Sequence, residues 1–284
     1  MLYDEGKLDL DDKISKYLDE KTCSKIENAE QATIRQILNH TSGIYDIISD
    51  QGLYLKLLNN PNKDWSADEL LECAYGKDAY FSVGEGVHYS NTNFLLASLI
   101  IEEITGKPHV DMLKERIFIP LELNNTYYHW DDELPVTTAQ GYYDLHNNGT
   151  ILNLSNYHTG SGNGYNGIYC TVSDLNIFIK ALLIEKTLIS EEALQEMLIF
   201  TEVEEETNRR LGLGIYKDFQ DRVESDYALG HRGRDLQYSA DLFWFPKTNT
   251  TMAFLINYGM NGESSLSDVF YEFREKLADE VLRR

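Results

Sequence analysis

The chain has 284 residues, of which 42% are hydrophobic and 12% aromatic, so it can bury a sizeable core and is not expected to be disordered. Its 25 Lys and Arg residues against 47 Asp and Glu residues give a net charge of −22, which argues against nucleic acid and an anionic membrane surface as partners. The 3 cysteines have neither disulfide-framework nor metal-site spacing, and we expect no metal ion and no cofactor.

Residues 1–6 contain neither the basic start nor the apolar centre of a signal peptide. They instead resemble the last turn of a helix, with Gly6 as its C-cap. We therefore expect Met1 to be an internal methionine of a longer protein. The most apolar stretch, residues 94–101, is too short to span a bilayer, so no membrane span is expected. A cytoplasmic location fits the chain as given, and an extracytoplasmic one would follow from a signal peptide upstream.

The first two-thirds of the chain is predicted to be mostly helical. Residues 66–69 form a capping box that opens a helix through Cys73. Residues 91–105 form an apolar helix that ends at Gly106. Further helices are predicted over residues 109–117, from a cap at 171–174 through 183, and over 190–198. Two polar, turn-rich stretches, residues 131–150 and 155–167, are predicted loops.

The last third of the chain is predicted to consist mainly of strands. Short aromatic and β-branched segments, separated by turn signals, predict strands over residues 211–219, 227–231, 236–245 and 250–258. Residues 267–284 form an amphipathic helix that would cover the sheet. The fold class is therefore α+β, with an antiparallel sheet under a terminal helix. We expect a single domain over 1–284, with 1–200 mostly helical and 201–284 carrying the strands and the last helix.

Residues 89–91, Tyr-Ser-Asn, directly precede the apolar helix. A tyrosine such as Tyr89 can serve as a general base if nearby cations favour its phenolate. The side chain of Asn91 can donate to a substrate amide carbonyl and accept from an ammonium group. The alternative is a helix N-cap preceded by a packed tyrosine.

Two other clusters carry reactive side chains. Residues 231–233, His-Arg-Gly, follow Gly230 at a predicted strand end, where glycine allows a ligand to approach the backbone and histidine could supply a proton or a positive field. The alternative there is a surface turn. In residues 39–43, Ser42 near His40 suggests a nucleophile and base. Neighbours in sequence rarely point at each other, so we prefer a hydrogen-bonded turn that closes a helix.

Together these clusters belong to an ordered series of stretches, namely residues 3–12, 33–43, 89–93, 120–126, 164–175 and 230–233. The series resembles the β-lactamase-related serine hydrolases, which include class C β-lactamases, D-alanyl-D-alanine carboxypeptidases, D-aminopeptidases and some esterases. It matches the end of their nucleophile helix, their His-Thr-Ser-Gly turn, Tyr-x-Asn motif, Pro-Leu segment, Gly-rich loop and His-x-Gly strand. The resemblance covers essentially the whole chain and implies a β-lactamase/transpeptidase-like fold.

The resemblance also implies a mechanism. In this family a serine attacks a carbonyl to form an acyl-enzyme, helped by a lysine three residues later on the same helical face. Tyr89 would relay protons, and Asn91 would bind the substrate amide. His231 and Gly233 would line the opposite wall. The backbone N–H of Arg234 would contribute to the oxyanion hole.

The sequence departs from the family at two points. No Ser-x-x-Lys occurs anywhere in it, and the one Thr-x-x-Lys, at Thr22, falls beyond the expected helix. Arg232 stands where a small Thr or Ser is usual, and its guanidinium could recognise a carboxylate or crowd the pocket. Two functions follow. The first is a serine hydrolase of D-amino-acid peptides, β-lactams or esters, seen without its nucleophile. The second is a non-catalytic homologue that binds a small molecule, peptide or partner through the remaining cleft.

The resemblance also predicts that one edge of the sheet is unprotected. The missing part should hold the nucleophile helix and two strands that extend the sheet beside residues 250–258. That last strand is apolar and has no charge to protect its edge. We therefore expect self-association through strand 250–258, the alternative being that the terminal helix shifts to cover the edge.

Overall fold

The computed structural model describes residues 1–129, 131–160, 162–204, 208–220, 222–260, 264 and 266–283. Its α-helices are α1 (Glu20–Cys23), α2 (Ile34–Leu38), α3 (Gln51–Asn59), α4 (Ala67–Leu71), α5 (Asn91–Thr105), α6 (His109–Leu113), α7 (Val172–Ile179), α8 (Glu191–Met197) and α9 (Ser267–Leu282). Its strands are β1 (Tyr127–Tyr128), β2 (Tyr142–Tyr143), β3 (Leu152–Asn153), β4 (Ile168–Tyr169), β5 (Val203–Glu204), β6 (Arg209–Leu211), β7 (Tyr216–Asp218), β8 (Ala228–Arg234), β9 (Ser239–Phe245) and β10 (Thr250–Ile256). Helices thus precede an antiparallel sheet, as predicted.

The helix boundaries follow local capping. Ser66 and Glu69 exchange hydrogen bonds in the predicted capping box that opens α4. Gly106, with φ +65°, ends α5 at the predicted residue. The helix predicted over 109–117 instead continues from α6 into a π-helical turn, Lys114–Phe118, and α7 likewise continues into Lys180–Ile184.

The turn at the start of the chain has the geometry of a helix end. Gly6 has φ +65°. Its N–H donates to the carbonyl of Tyr3 at 2.9 Å, and the N–H of Lys7 donates to that of Leu2 at 3.0 Å. This pair of bonds is a Schellman motif, so the predicted C-cap at Gly6 is confirmed.

The main sheet is six-stranded, and its strands lie in chain order from β5 to β10, all antiparallel. The single strand predicted over 211–219 is wrong, because a turn at Gly214, with φ +72°, separates β6 from β7. β8 pairs with β9 over residues 229–234 but with β7 only over 228–230. The backbone of residues 231–234 is therefore unpaired on the β7 side within the described strands.

The two faces of this sheet pack on different elements. Phe243, Phe245 and Phe254 belong to the buried cluster that includes Phe270 of α9. Leu229 and Trp244, on the opposite face, pack with side chains around α7 and α8. Residues that alternate along β8 therefore face either α9 or the helical region.

β10 is the last strand of the sheet and pairs with β9 alone among the described strands. Residues 257–259 continue along a different path, because Tyr142 donates to the carbonyl of Asn257 at 3.1 Å and accepts from Gly259 at 2.9 Å. On β10, Leu255 is 39% exposed, and Phe273 of α9, whose ring packs against Phe254 on the other face, is 46% exposed. The predicted edge is therefore confirmed over β10. Within the described ranges, no helix has both the length and the apolar character that a bilayer crossing requires.

Candidate functional site

The two reactive clusters that lie far apart in sequence meet in the structure. Tyr89 precedes α5, and its ring centroid lies 6.2 Å from that of His231 on β8. Tyr216, at the start of β7, packs against both, at 6.1 Å from Tyr89 and 4.0 Å from His231. The Tyr-Ser-Asn and His-Arg-Gly segments thus face each other and form two walls of one candidate site.

Tyr89 is held as a neutral phenol. Its ring stacks on His40 with centroids 4.1 Å apart. Burial raises the pKa of Tyr89 to about 12, although Tyr216 and the nearby Arg209 and Arg232 act in the opposite direction. Tyr89 therefore offers a proton at neutral pH, and the phenolate form is disfavoured by these surroundings.

His231 is neutral as well. Its Nδ1 lies 2.7 Å from the carbonyl oxygen of Arg232, and because a carbonyl only accepts, Nδ1 carries the proton. Burial lowers the pKa of His231 to about 4, helped by the charges of nearby arginines and opposed by the hydrogen bond to the Arg232 carbonyl. Its Nε2 is therefore a hydrogen-bond acceptor near pH 7, and the side chain supplies no positive field there.

Asn91 is held by a carboxylate that the sequence interpretation did not identify. Its backbone N–H donates to Asp46 Oδ1 at 3.0 Å, and its Nδ2 lies 3.2 and 3.1 Å from the two carboxylate oxygens. Burial raises the pKa of Asp46. The sequence did contain one indication that Asp46 has a buried polar partner, because it is a charged residue inside the otherwise apolar stretch of residues 44–48.

A buried polar network lies behind this wall. His40 Nδ1 accepts from the backbone N–H of Ser90 at 3.0 Å and lies 3.3 Å from Asn93 Nδ2. Ser42 Oγ donates to Asn93 Oδ1 at 2.8 Å and accepts from the N–H of Ile44 at 3.2 Å. His40 and Ser42 thus bond to α5 and to the turn rather than to each other, which favours the turn interpretation of residues 39–43.

The opposite wall is the end of β8. A side chain at Gly230 would run into the carbonyl of Leu242, so glycine is required for β8 and β9 to approach there. Gly233 is exposed. By strand alternation, His231 and Gly233 point to one face, whereas Arg232 and Arg234 point to the α9 face.

The two arginines of this wall differ. Arg234 pairs with the fully buried Asp241 at 2.6 Å and donates to two carbonyls. Arg232 is in register with Asp241, but its guanidinium makes no hydrogen bond or ion pair with any described residue. Burial and the charge of Arg209 lower the pKa of Arg232. Arg232 is therefore a half-buried cation available to an anion.

The Gly-rich loop is bonded to the turn that follows β8. Asn166 Nδ2 and Thr159 Oγ1 donate to Asp235 Oδ2 at 2.8 and 3.1 Å, so the turn after β8 holds this loop in place. The sequence interpretation identified the loop but not Asp235. Over the described part of the chain, no group of His, Cys, Asp and Glu side chains is arranged to hold a metal ion.

Comparisons with known proteins agree with this geometry. A family model described as beta-lactamase matches residues 1–271. Penicillin-binding protein 4* of Bacillus subtilis (strain 168) is 26% identical over 271 residues, which are 90% of this chain and 57% of that protein. Protein flp of Staphylococcus aureus (strain COL) is 30% identical over 142 residues, 50% of this chain and 27% of that protein. The chain thus spans about half or less of the length of these curated relatives.

Solved structures extend the comparison. A D-stereospecific amidohydrolase from Streptomyces sp. has a TM-score of 0.83 at 28% identity, covering 92% of this chain and 78% of its own. The penicillin binding protein from Bacillus halodurans has a TM-score of 0.78 at 25% identity, covering 96% and 79%. D-amino acid amidase from Ochrobactrum anthropi SV3 has a TM-score of 0.82 at 23% identity, covering 99% of this chain and 79% of its own. At this identity, the comparison shows the fold alone. The β-lactamase/transpeptidase-like α+β fold is confirmed, and the chain belongs to the beta-lactamase family.

Proposed function

We propose that this chain forms the Tyr-x-Asn and His-x-Gly walls of an acyl-transfer site of the serine-hydrolase type, for D-amino-acid peptides, β-lactams or esters. The observation that carries this proposal is the convergence of Tyr89 with His231, whose ring centroids lie 6.2 Å apart, beside an unpaired strand edge. Similarity to a D-stereospecific amidohydrolase and to a penicillin binding protein supports the substrate class.

Each wall would contribute a different interaction. The free edge of residues 231–234 offers backbone N–H and C=O groups to an extended substrate, and Gly233 lets that substrate approach closely. The N–H of Arg234 would polarise the reacting carbonyl. Tyr89 would donate a proton to the leaving group, and His231 Nε2 would accept a hydrogen bond. Arg232, which lies on the α9 face of the same strand edge, would pair with a carboxylate of a substrate that extends past that edge, because its guanidinium is half-buried and pairs with no described carboxylate.

The second candidate function is reversible ligand binding without turnover. The sequence contains no Ser-x-x-Lys, and Tyr89 is a neutral phenol whose pKa is raised to about 12. A chain with these walls and no activated nucleophile would bind a carbonyl compound but would not form an acyl-enzyme.

One experiment tests the site that both functions share and the absence of a nucleophile in this chain. The chain is incubated with a fluorescent penicillin and with a fluorophosphonate, and covalent adducts are measured by intact-mass spectrometry. Equilibrium binding of benzylpenicillin and N-acetyl-D-alanyl-D-alanine is measured by calorimetry. We expect no adduct and saturable binding that His231→Ala weakens at least about 10-fold, whereas Tyr127→Phe on β1 leaves it unchanged.

Two outcomes would contradict this expectation. A single labelled serine would mean that the chain carries its own nucleophile, and Ser42 would be examined first. An absence of saturable binding to either compound would remove the proposed site altogether.

We also propose that the free edge of β10 pairs with β10 of a second copy. An antiparallel pair would join two sheets and bring the exposed Leu255 of each chain together. Sedimentation velocity should show a dimer that Leu255→Lys converts to monomer, whereas Ile199→Lys, another exposed aliphatic position, should not. A monomeric wild-type chain at high micromolar concentration would exclude this pairing.

A further inference from the structure

A buried carboxylate lies directly behind Asn91. Asp46 is 7% exposed and precedes the 3-10 helix Ile47–Ser49, where its Oδ1 accepts from the N–H of Ile48 at 3.2 Å. The same oxygen accepts from the N–H of Asn91 at 3.0 Å. These two bonds belong to the backbone and explain Oδ1 as a structural acceptor.

The second oxygen of Asp46 has a different partner. Within the described residues, Oδ2 accepts only from Asn91 Nδ2, at 3.1 Å. Capping of Ile47–Ser49 therefore uses one oxygen and leaves the other for the amide of Asn91. A residue that served the turn alone would not need this second oxygen.

The contact fixes which end of the Asn91 amide points away from Asp46. Both carboxylate oxygens are acceptors, and Oδ1 already receives two backbone N–H groups. If the amide were turned over, Asn91 Oδ1 would face two oxygens at the 3.1 to 3.2 Å now spanned by Nδ2, which is a repulsive arrangement. Asn91 Oδ1 is thus directed away from Asp46, and it accepts from no described residue.

We propose that Asp46 is a positioning residue that locks Asn91 with its carbonyl oxygen toward the cleft, so that the site selects ligands presenting an N–H or ammonium donor there. The inference rests on the proposed function and specifies its ligand. Asp46 acts through Asn91 and does not itself touch the ligand. Without it, the amide could turn over and offer its NH2 group to a carbonyl instead.

The variant Asp46→Asn tests this selection. It preserves one acceptor oxygen for the two backbone N–H groups and replaces Oδ2 with an NH2 group. That group would face Asn91 Nδ2, so the Asn91 amide should turn over. The matched control is Asp50→Asn, because Asp50 also caps a helix, α3, and pairs with Lys77 at 2.6 Å without contacting Asn91.

The probes are N-acetyl-D-alanine methylamide and its analogue with a methyl group on the acetylated nitrogen. For the wild-type chain, calorimetry should give about 10-fold or more tighter binding of the N–H compound, because the analogue leaves Asn91 Oδ1 without a donor. In Asp46→Asn the ratio should fall below about 3-fold, with affinity for the methylated probe retained. An unchanged ratio in Asp46→Asn would overturn the proposal, as would an altered ratio in Asp50→Asn.

A second measurement does not require a ligand. The side-chain NH2 signals of Asn91, identified by their loss in Asn91→Ser, are followed by 15N NMR. In the wild-type chain their protons should exchange slowly with water, because Asp46 accepts them, and in Asp46→Asn exchange should be at least about 10-fold faster. Rapid exchange in the wild-type chain would exclude the positioning role. Failure of both probes to bind would instead reject the proposed function and leave the NMR result to decide the role of Asp46.

Discussion

The two walls of the cleft are built differently. The Tyr-x-Asn wall is tied internally, because His40 and Asp46 accept hydrogen bonds from backbone N–H groups at the start of α5, and Asp46 also accepts from the side chain of Asn91. The β8 wall has an unpaired backbone edge and a guanidinium, Arg232, without an anionic partner among the described residues. One wall is thus preorganised before a ligand arrives, whereas the other has polar groups that a ligand would complete.

The wall formed by β8 also has a distinct local charge. The chain carries a net charge of −22, yet the sheet beneath α9 concentrates positive charge. The arginines of this layer are Arg209, Arg232, Arg234 and Arg274. Asp241 binds Arg234 at 2.6 Å and Arg274 at 2.5 Å, and Asp218 binds Arg274 at 2.5 Å. Local positive charge thus remains at the end of β8, where an acidic protein can still attract an anion.

The largest effect should come from the ion network between the sheet that carries β8 and α9. Asp241→Ala leaves Arg274 and Arg234 buried without their shared carboxylate, so the free energy of unfolding should fall by about 3–5 kcal/mol. Urea denaturation measures this, with Asp268→Ala on the exposed side of α9 as the control. A loss below about 1 kcal/mol would show that the network is not what stabilises the sheet layer.

The next largest effect should distinguish the preorganised wall. His40→Ala removes the acceptor of the Ser90 N–H and the partner of Asn93, so it should destabilise the chain by about 2–3 kcal/mol. The control is His146→Ala in an exposed loop, where urea denaturation should detect almost no change. Equal effects of the two substitutions would remove the distinction between the walls.

A smaller effect should appear in the pH dependence. The folded-state pKa of His231 is about 4, below its usual value of 6.5, so the unfolded chain binds the proton more readily. Stability should therefore be complete above about pH 6.5 and decline as the pH falls toward about 4. His231→Gln should reduce this decline by about 1–2 kcal/mol, given the partial exposure of the ring. His129, whose pKa is also lowered to about 4, should account for a further share that His231→Gln leaves intact.

The smallest stability effect should come from the open wall. Arg232→Thr removes a cation that pairs with no described carboxylate, so the free energy of unfolding should change by less than about 1 kcal/mol. Its consequence should instead be selective, with loss of any preference for N-acetyl-D-alanine over N-acetyl-D-alanine amide in binding. Arg210→Thr, at a half-buried arginine of β6, should retain that preference. Equal weakening toward both compounds would contradict a carboxylate-binding role for Arg232.

The sequence predicted the helices and strands whose boundaries depend on neighbouring residues. The helix over 91–105 and its end at Gly106 follow from an apolar stretch and a left-handed cap, and β10 follows from a short apolar run between turns. The division between β6 and β7 was missed because it depends on the turn at Gly214. The Tyr-x-Asn segment was identified by its resemblance to a family motif.

The partners of that segment could not be predicted in the same way. Asp46 lies 45 residues from Asn91, and His40 lies 50 residues from Ser90. No local pattern indicates that these side chains meet, because the contacts depend on how the turn packs against α5. The open edge at residues 231–234 likewise depends on where β7 ends.

The chain-order arrangement of the sheet has a consequence for folding kinetics. Each strand from β5 to β10 pairs with the strand next to it in sequence, so the sheet can grow hairpin by hairpin with short loops to close. The contacts between Asp46, His40 and α5 close longer loops and should form later. A pulse-labelling hydrogen-exchange experiment should therefore find β8, β9 and β10 protected before the amides of Ser90 and Asn91. The open wall of the cleft would then be the first to fold, and the tightly bonded wall would be assembled against it.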